Sequence, residues 1–221
     1  MGEHIKHATS WSELRERIIS VAAELFSASG IKCVTMDEIA ASLGISKRTL
    51  YEVFSDKETL LEACILREQR ETDAFVVEII KKSENVLEVL LKLYLRGIEK
   101  FHATNKSFFE DIKKYPKACE LLKCDNNRNH EDAINFFKQG VSQGIFRDDV
   151  NFAIIGLLVR KQLDVLMETD LCDRYSFLEV YESIMFTFLR GISTEKGAAE
   201  LEIFIHDYRK RQLSVEEEKK Q

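Results

Sequence analysis

The chain has 221 residues, a formal net charge of −6, 45% hydrophobic and 32% charged residues, nine glycines and one proline. That length admits one or two domains, and so few turn breakers exclude an all-β architecture and favour long helices. An acidic chain does not coat nucleic acid without selectivity, so any contact with nucleic acid must come from a local patch.

In chain order, the first predicted helix runs from about Ser12 to Ser29. Leu14, Ile18, Val21, Ala22, Leu25 and Phe26 fall on one face of it, and Gly30 supplies a left-handed stop. The stretch TMDEIAASLG predicts a helix of about two turns, with Thr35 as N-cap, Glu38 completing a capping box and Gly44 ending it. Ser46 caps a short third helix over about Lys47–Val53. Ser55 and Glu58 predict a second capping box, opening a long helix that reaches Lys82. Helical periodicity continues at about 85–103, 106–114, 117–123, 130–143, 150–169, 176–192 and 197–211, and Pro116 separates two of these. KCDNNRNH and QGIFRDDVN read as loops, and the terminal VEEEKKQ as a frayed tail. No segment alternates convincingly as a strand, so the expected fold is all-α.

Two short helices joined by a glycine-containing turn make a helix-turn-helix. Side chains turn by about 100° per residue along a helix. With Leu50, Val53 and Phe54 inward, Arg48 and Glu52 point away, and Thr49 and Tyr51 flank them. Arginine can grip a guanine edge with two hydrogen bonds, and threonine can bond a base edge or pack on thymine. Tyr51 and Lys47 suit phosphates, which fix register without reading sequence. Lys57 and Thr35 lie at helix starts, where backbone N–H groups favour a phosphate. Glu52 would repel phosphate but can accept from cytosine. A short basic helix can also be an ordinary solvated surface, so the weight rests on the whole sequence of caps, turn and helices.

The run RERIISVAAELFSASGIKCVTMDEIAASLGISKRTLYEVFSDKETLLEA resembles the N-terminal domain of the TetR family of transcriptional regulators. The matching marks are Ala22, Phe26, Gly30, Thr35, Ile39-Ala40, Gly44-Ile45-Ser46, Thr49-Leu50-Tyr51, Phe54, Lys57-Glu58 and Leu60. The resemblance covers about 50 residues. It implies a helix-turn-helix domain at 1–55, a helical effector-binding and dimerisation domain at 56–211 and a flexible tail at 212–221. It also implies a homodimer held by a four-helix interface. Thr35, Lys47, Thr49, Tyr51 and Lys57 match positions that contact DNA in the family, whereas Arg48 stands where many members have glycine. Val53 replaces a His or aromatic residue that often reaches phosphate.

No Gly-rich phosphate loop, H-E-x-x-H or G-x-S-x-G appears, so no enzyme is expected. Five cysteines without C-x-x-C spacing read as free, mostly buried thiols of a reducing cytosol rather than a zinc site. His4 and His7 with Lys6 form either a disordered tail or a weakly basic arm against DNA. No cofactor, no metal, no signal peptide and no membrane span are expected.

Phe75, Tyr94, Phe101, Phe108, Phe109 and Phe136 lie in the middle helices, where family members hold a small effector. Taken singly, each reads as core, and it is as a group that they suit the lining of an apolar pocket. Phe152, Ile155, Leu158 and Val159 form one broad apolar face, and Leu178, Tyr181, Met185 and Phe188 another. Family analogy assigns these faces to the dimer interface, although plain core remains the other reading. The expected protein is a cytoplasmic, homodimeric repressor of a roughly palindromic double-stranded operator, released by a small-molecule effector of unknown identity. An activator, a regulator without an effector, or a helical interaction module without DNA binding are the alternatives.

Overall fold

The computed structural model describes the backbone of residues 2–122, 130–168 and 171–218, and the side chains of 11–122, 131–163, 171 and 174–211. Its described residues are helical with no strand, and one isolated antiparallel bridge joins Phe146 to Ser193. Two compact units share the chain. The first holds Met1–Glu78 with Leu95–Asn126, and the second Ile79–Tyr94 with Asn127–Gln221.

The first unit opens with α1 (Gly2–Ser29), α2 (Met36–Leu43), α3 (Lys47–Val53) and most of α4 (Lys57–Lys82). It adds the second half of α5 (Val86–Ala103), α6 (Lys106–Ile112) and α7 (Pro116–Leu122). Ile18, Ile19, Ala22 and Phe26 of α1 are buried, as are Ile39, Leu50, Leu60 and Leu61 from the next three helices and Phe54, which caps the end of α3. Burying each of the larger side chains contributes about 1.5–3 kcal/mol. Gly30 takes φ +83°, and a Cβ there would lie 2.8 Å from the Cβ of Ser107 on α6. Only glycine meets both demands.

The second unit holds α8 (His130–Ser142), α9 (Phe152–Glu168), α10 (Leu171–Arg174), α11 (Phe177–Ile192) and α12 (Glu195–Glu218), with the adjoining parts of α4 and α5. Tyr94 is buried within a ring cluster of Tyr181, Phe186, Phe204 and Tyr208, at centroid distances of 5.1–6.2 Å. Its hydroxyl donates to Glu182 Oε1 at 3.0 Å. Burial, with the Tyr208 bond and the Glu182 charge, pushes its pKa far up.

Several boundaries differ from the sequence expectation. The first helix begins at Gly2, ten residues before Ser12, because Gly2–Trp11 lacks an internal breaker although it carries no clear apolar stripe. The cap of α4 is Asp56, whose Oδ1 accepts the Thr59 N–H at 2.7 Å, and the Ser55 hydroxyl bonds the Asp56 carboxylate instead. Pro116 begins α7 rather than preceding it, which suits a residue without an N–H. The short α10 had no sequence signal, and α12 continues past 211 to Glu218. The expected loop KCDNNRNH lies outside the described residues except for His130, the first residue of α8.

Candidate nucleic-acid interface

The Thr35 capping box forms as expected. Thr35 Oγ1 accepts the Glu38 N–H at 3.2 Å, and Glu38 Oε2 accepts the Thr35 N–H at 2.7 Å. Gly44 closes α2 at φ +67°, and Ser46 Oγ accepts the Thr49 N–H at 3.0 Å to open α3. Each end of the turn is therefore locally fixed. Leu50 is fully buried and Phe54 nearly so, which anchors α3 from behind. Arg15 of α1 covers the Phe54 ring at 5.2 Å.

The outward face of α3 is as the helical angles require. Lys47, Arg48, Tyr51 and Glu52 are exposed, Thr49 and Val53 half-buried. The Arg48 side chain is 89% exposed and Tyr51 retains 43% of its surface. The charges on this face are paired. Lys47 Nζ contacts Asp37 Oδ1 at 2.7 Å and donates to Oδ2 at 3.0 Å, bridging α3 to α2. The Asp37 bond and charge raise the Lys47 pKa. Arg48 Nε donates to Glu52 Oε1 at 3.0 Å, one helical turn on.

Lys57 is placed less simply than its sequence position implied. It is half-buried, and its ammonium donates to the carbonyls of Ile31 and Val34, both at 2.9 Å. Two of its three donors thus hold the α1–α2 turn, leaving one for an outside acceptor. The Thr35 hydroxyl also donates to Glu38, at 3.0 Å. Sequence reasoning missed the parts of Asp37 and Asp111. Asp37 lies ten residues from Lys47, beyond any helical spacing rule. Asp111 of α6 is buried and its Oδ2 accepts the Lys32 N–H at 2.7 Å, across 79 positions. The Asn105 N–H donates to Ser27 O at 2.7 Å, adding a second tie from the start of α6 to the end of α1.

The aromatics expected around an effector are divided between the two units. In the first unit Phe101 stacks on Phe109, Phe108 meets Phe109 edge-on, and the Arg96 guanidinium lies 4.5 Å from the centre of the Phe75 ring. Tyr94 and Phe136 belong to the second unit, Tyr94 in its ring cluster and Phe136 edge-on to Phe137. On α9, Phe152 stacks on Phe137 at 5.1 Å, and Ile155 and Val159 are half-buried. Leu158 stands 53% exposed beside Ile154 and Leu157, so the outward stripe is shifted from the one expected. On α11, Tyr181 stacks on Tyr94, Phe188 meets Phe137 edge-on, and Leu178 and Met185 are half-buried.

Cys33 is exposed, Cys119 is half-buried and Cys64 is buried. Burial pushes the Cys64 thiol up to about 12. Cys124, and the side chains of Cys172, His4, Lys6 and His7, lie outside the described residues. Among the described residues no metal-holding cluster occurs, and no helix is long and apolar enough to cross a membrane.

Residues 18–64 match the family described as bacterial regulatory proteins, tetR family. An HTH-type transcriptional regulator of Staphylococcus aureus (strain USA300) is 32% identical over 154 residues, covering 61% of this chain and 80% of that protein. The HTH-type transcriptional repressor KstR2 of Mycolicibacterium smegmatis is 25% identical over 152 residues, covering 66% of this chain and 74% of that one. A transcriptional regulator of Saccharomonospora viridis, solved in complex with choline, superposes with a TM-score of 0.63 at 19% identity, covering 83% of this chain and all of that one. The chain belongs to the tetR family of bacterial regulatory proteins and is a DNA-binding transcriptional regulator.

Proposed function

We propose that the protein is a homodimeric, cytoplasmic repressor that places α3 of each subunit in successive major grooves of a roughly palindromic operator and leaves it when a small molecule binds. The observation that carries this reading is the outward face of α3. Arg48, Thr49 and Tyr51 project from a short helix whose opposite side is locked by Leu50 and Phe54. Arg48 and Thr49 read base edges, while Lys47, Tyr51 and the remaining donor of Lys57 hold phosphates. Thr35 adds a contact at the start of α2. Repression is supported by the name of the KstR2 relative.

The dimer forms through α9 and α11. Ile154, Leu157 and Leu158 support it, each more than half exposed on one face of α9. A stripe of this kind loses water when a second copy covers it. The domain division follows the same logic: residues 1–55 read DNA and 56–211 bind effector and partner.

The effector acts through the α6 contacts with the first helix and its following turn. A ligand that fits better with α6 displaced would pull on Lys32 and Ser27 through Asp111 and Asn105, altering the setting of α2 and α3. The coupling equals the difference in effector affinity between the two settings. Selection of bound fragments from random DNA, followed by a screen for compounds that release the enriched fragment, tests the proposal. An enriched inverted repeat, released by a compound, is expected. No enriched sequence would reject the DNA reading, and a complex that no compound disturbs would reject the effector.

A further inference from the structure

We infer that Glu52 is a positioning residue for base recognition, fixing Arg48 so that its guanidinium meets guanine end-on. The inference rests on the proposed reading of DNA by α3. Glu52 Oε1 accepts from Arg48 Nε at 3.0 Å. The two terminal amino groups of Arg48 make no bond among the described residues, and its side chain is 89% exposed. A guanidinium has two faces able to form a paired contact: the end, using both terminal nitrogens, and the side, using Nε and one of them. Glu52 occupies the side and leaves the end. Guanine offers O6 and N7 as two adjacent acceptors, a match for that end.

The placement follows from the helix. Residues four apart lie one above the other on the same face, so Glu52 lies beside the Arg48 stem rather than in front of its head. A carboxylate facing DNA is otherwise a liability, because phosphates repel it. An exposed pair of this kind biases the free side chain only about twofold. Its effect grows in the groove, where water is excluded and a wrongly turned guanidinium loses both base contacts. Glu52 also disfavours acceptor-bearing bases next to that guanine, since its second oxygen can only accept from an amine such as that of cytosine or adenine.

The test is selection from random DNA with the full-length protein and its Arg48→Ala, Glu52→Ala, Glu52→Gln and paired Arg48→Ala/Glu52→Ala variants. Circular dichroism confirms that each variant stays folded, as expected for exposed sites. Arg48→Ala should lose guanine preference at one position per half-site by roughly tenfold. Glu52→Ala should lose most of the same preference, while its affinity for non-specific DNA stays equal or rises. Glu52→Gln keeps an acceptor for Nε and should retain the preference. The paired variant should lose no more than Arg48→Ala alone. If Glu52→Ala keeps full guanine preference while Arg48→Ala loses it, the positioning role is overturned and the reading by Arg48 survives. If neither change alters any base preference, the reading by α3 fails as well.

Discussion

Asp111 on α6 accepts the backbone N–H of Lys32, 79 positions away, at 2.7 Å, with Lys114 Nζ 3.3 Å from its other oxygen. Burial alone would raise this carboxyl, but the Lys32 N–H and the Lys114 ammonium outweigh it and its pKa is lowered. A carboxyl depressed on folding stabilises the protein above its unfolded value, and that contribution fades as pH falls through the folded one. Asp111→Ala should destabilise by about 1.5–3 kcal/mol at neutral pH, as expected for a bond to a charged group. Denaturant titrations should show the gap full at pH 7 and shrinking once pH falls below the ordinary 3.8. If Asp111 also carries the effector signal, the variant should bind operator yet respond less to effector.

Lys57 is expected to have two effects at once. Its ammonium satisfies the carbonyls of Ile31 and Val34. Lys57→Met should therefore lower stability by about 1–2 kcal/mol. It should also weaken binding to all DNA sequences alike and reduce the salt slope by about one. Melting curves and anisotropy titrations over a range of salt separate the two. A stability loss with an unchanged salt slope would leave Lys57 a purely structural brace.

Asp37 pairs with Lys47 and so competes with a phosphate for its ammonium. Asp37→Asn removes the charge while keeping a polar side chain in the first turn of α2. Non-specific affinity should rise several-fold at low salt, with a slope steeper by up to one. Titration of a random duplex reads both quantities. Unchanged affinity would mean that Lys47 already reaches phosphate from its present position.

Leu158 is 53% exposed, next to Leu157 and Ile154. In an isolated subunit Leu158→Asp should change stability by no more than about 0.5 kcal/mol, since the site is on the surface. Across a dimer interface the same charge would be buried without a partner. Sedimentation at micromolar concentration should show a monomer for the variant and a dimer for the parent chain. A dimeric variant would remove α9 from the interface.

The helix-turn-helix was legible because its signals are local. Thr35, Gly44 and Ser46 each act on backbone groups within a few residues, so caps and turn can be read from spacing alone. The burial of Leu50 and Phe54 followed from helical angles for the same reason. The Arg48–Glu52 pair was equally readable at four residues' separation, although the carboxylate looked like a misfit rather than a partner. Contacts set by packing were not legible. Nothing in the spacing of Asp111 and Lys32, or of Asp37 and Lys47, brings them together. The aromatics show the same limit. Helical spacing identifies Phe101 and Tyr94 as apolar-face residues, but only the packing of α5 assigns one to each unit. On α9 the period predicted a broad stripe, and the position of Phe137 decides that Phe152 turns inward while Leu158 remains outside.

Base recognition by α3, as proposed, depends on Arg48 meeting guanine in the major groove. Methylation of guanine N7 blocks that edge without touching the phosphates, and binding to partly methylated operator reads its effect base by base. Methylation at one guanine in each half-site should weaken binding by the parent protein about tenfold or more, while Arg48→Ala should be indifferent to it. A parent protein that binds its operator equally well whichever guanine is methylated would mean that Arg48 does not read a guanine edge.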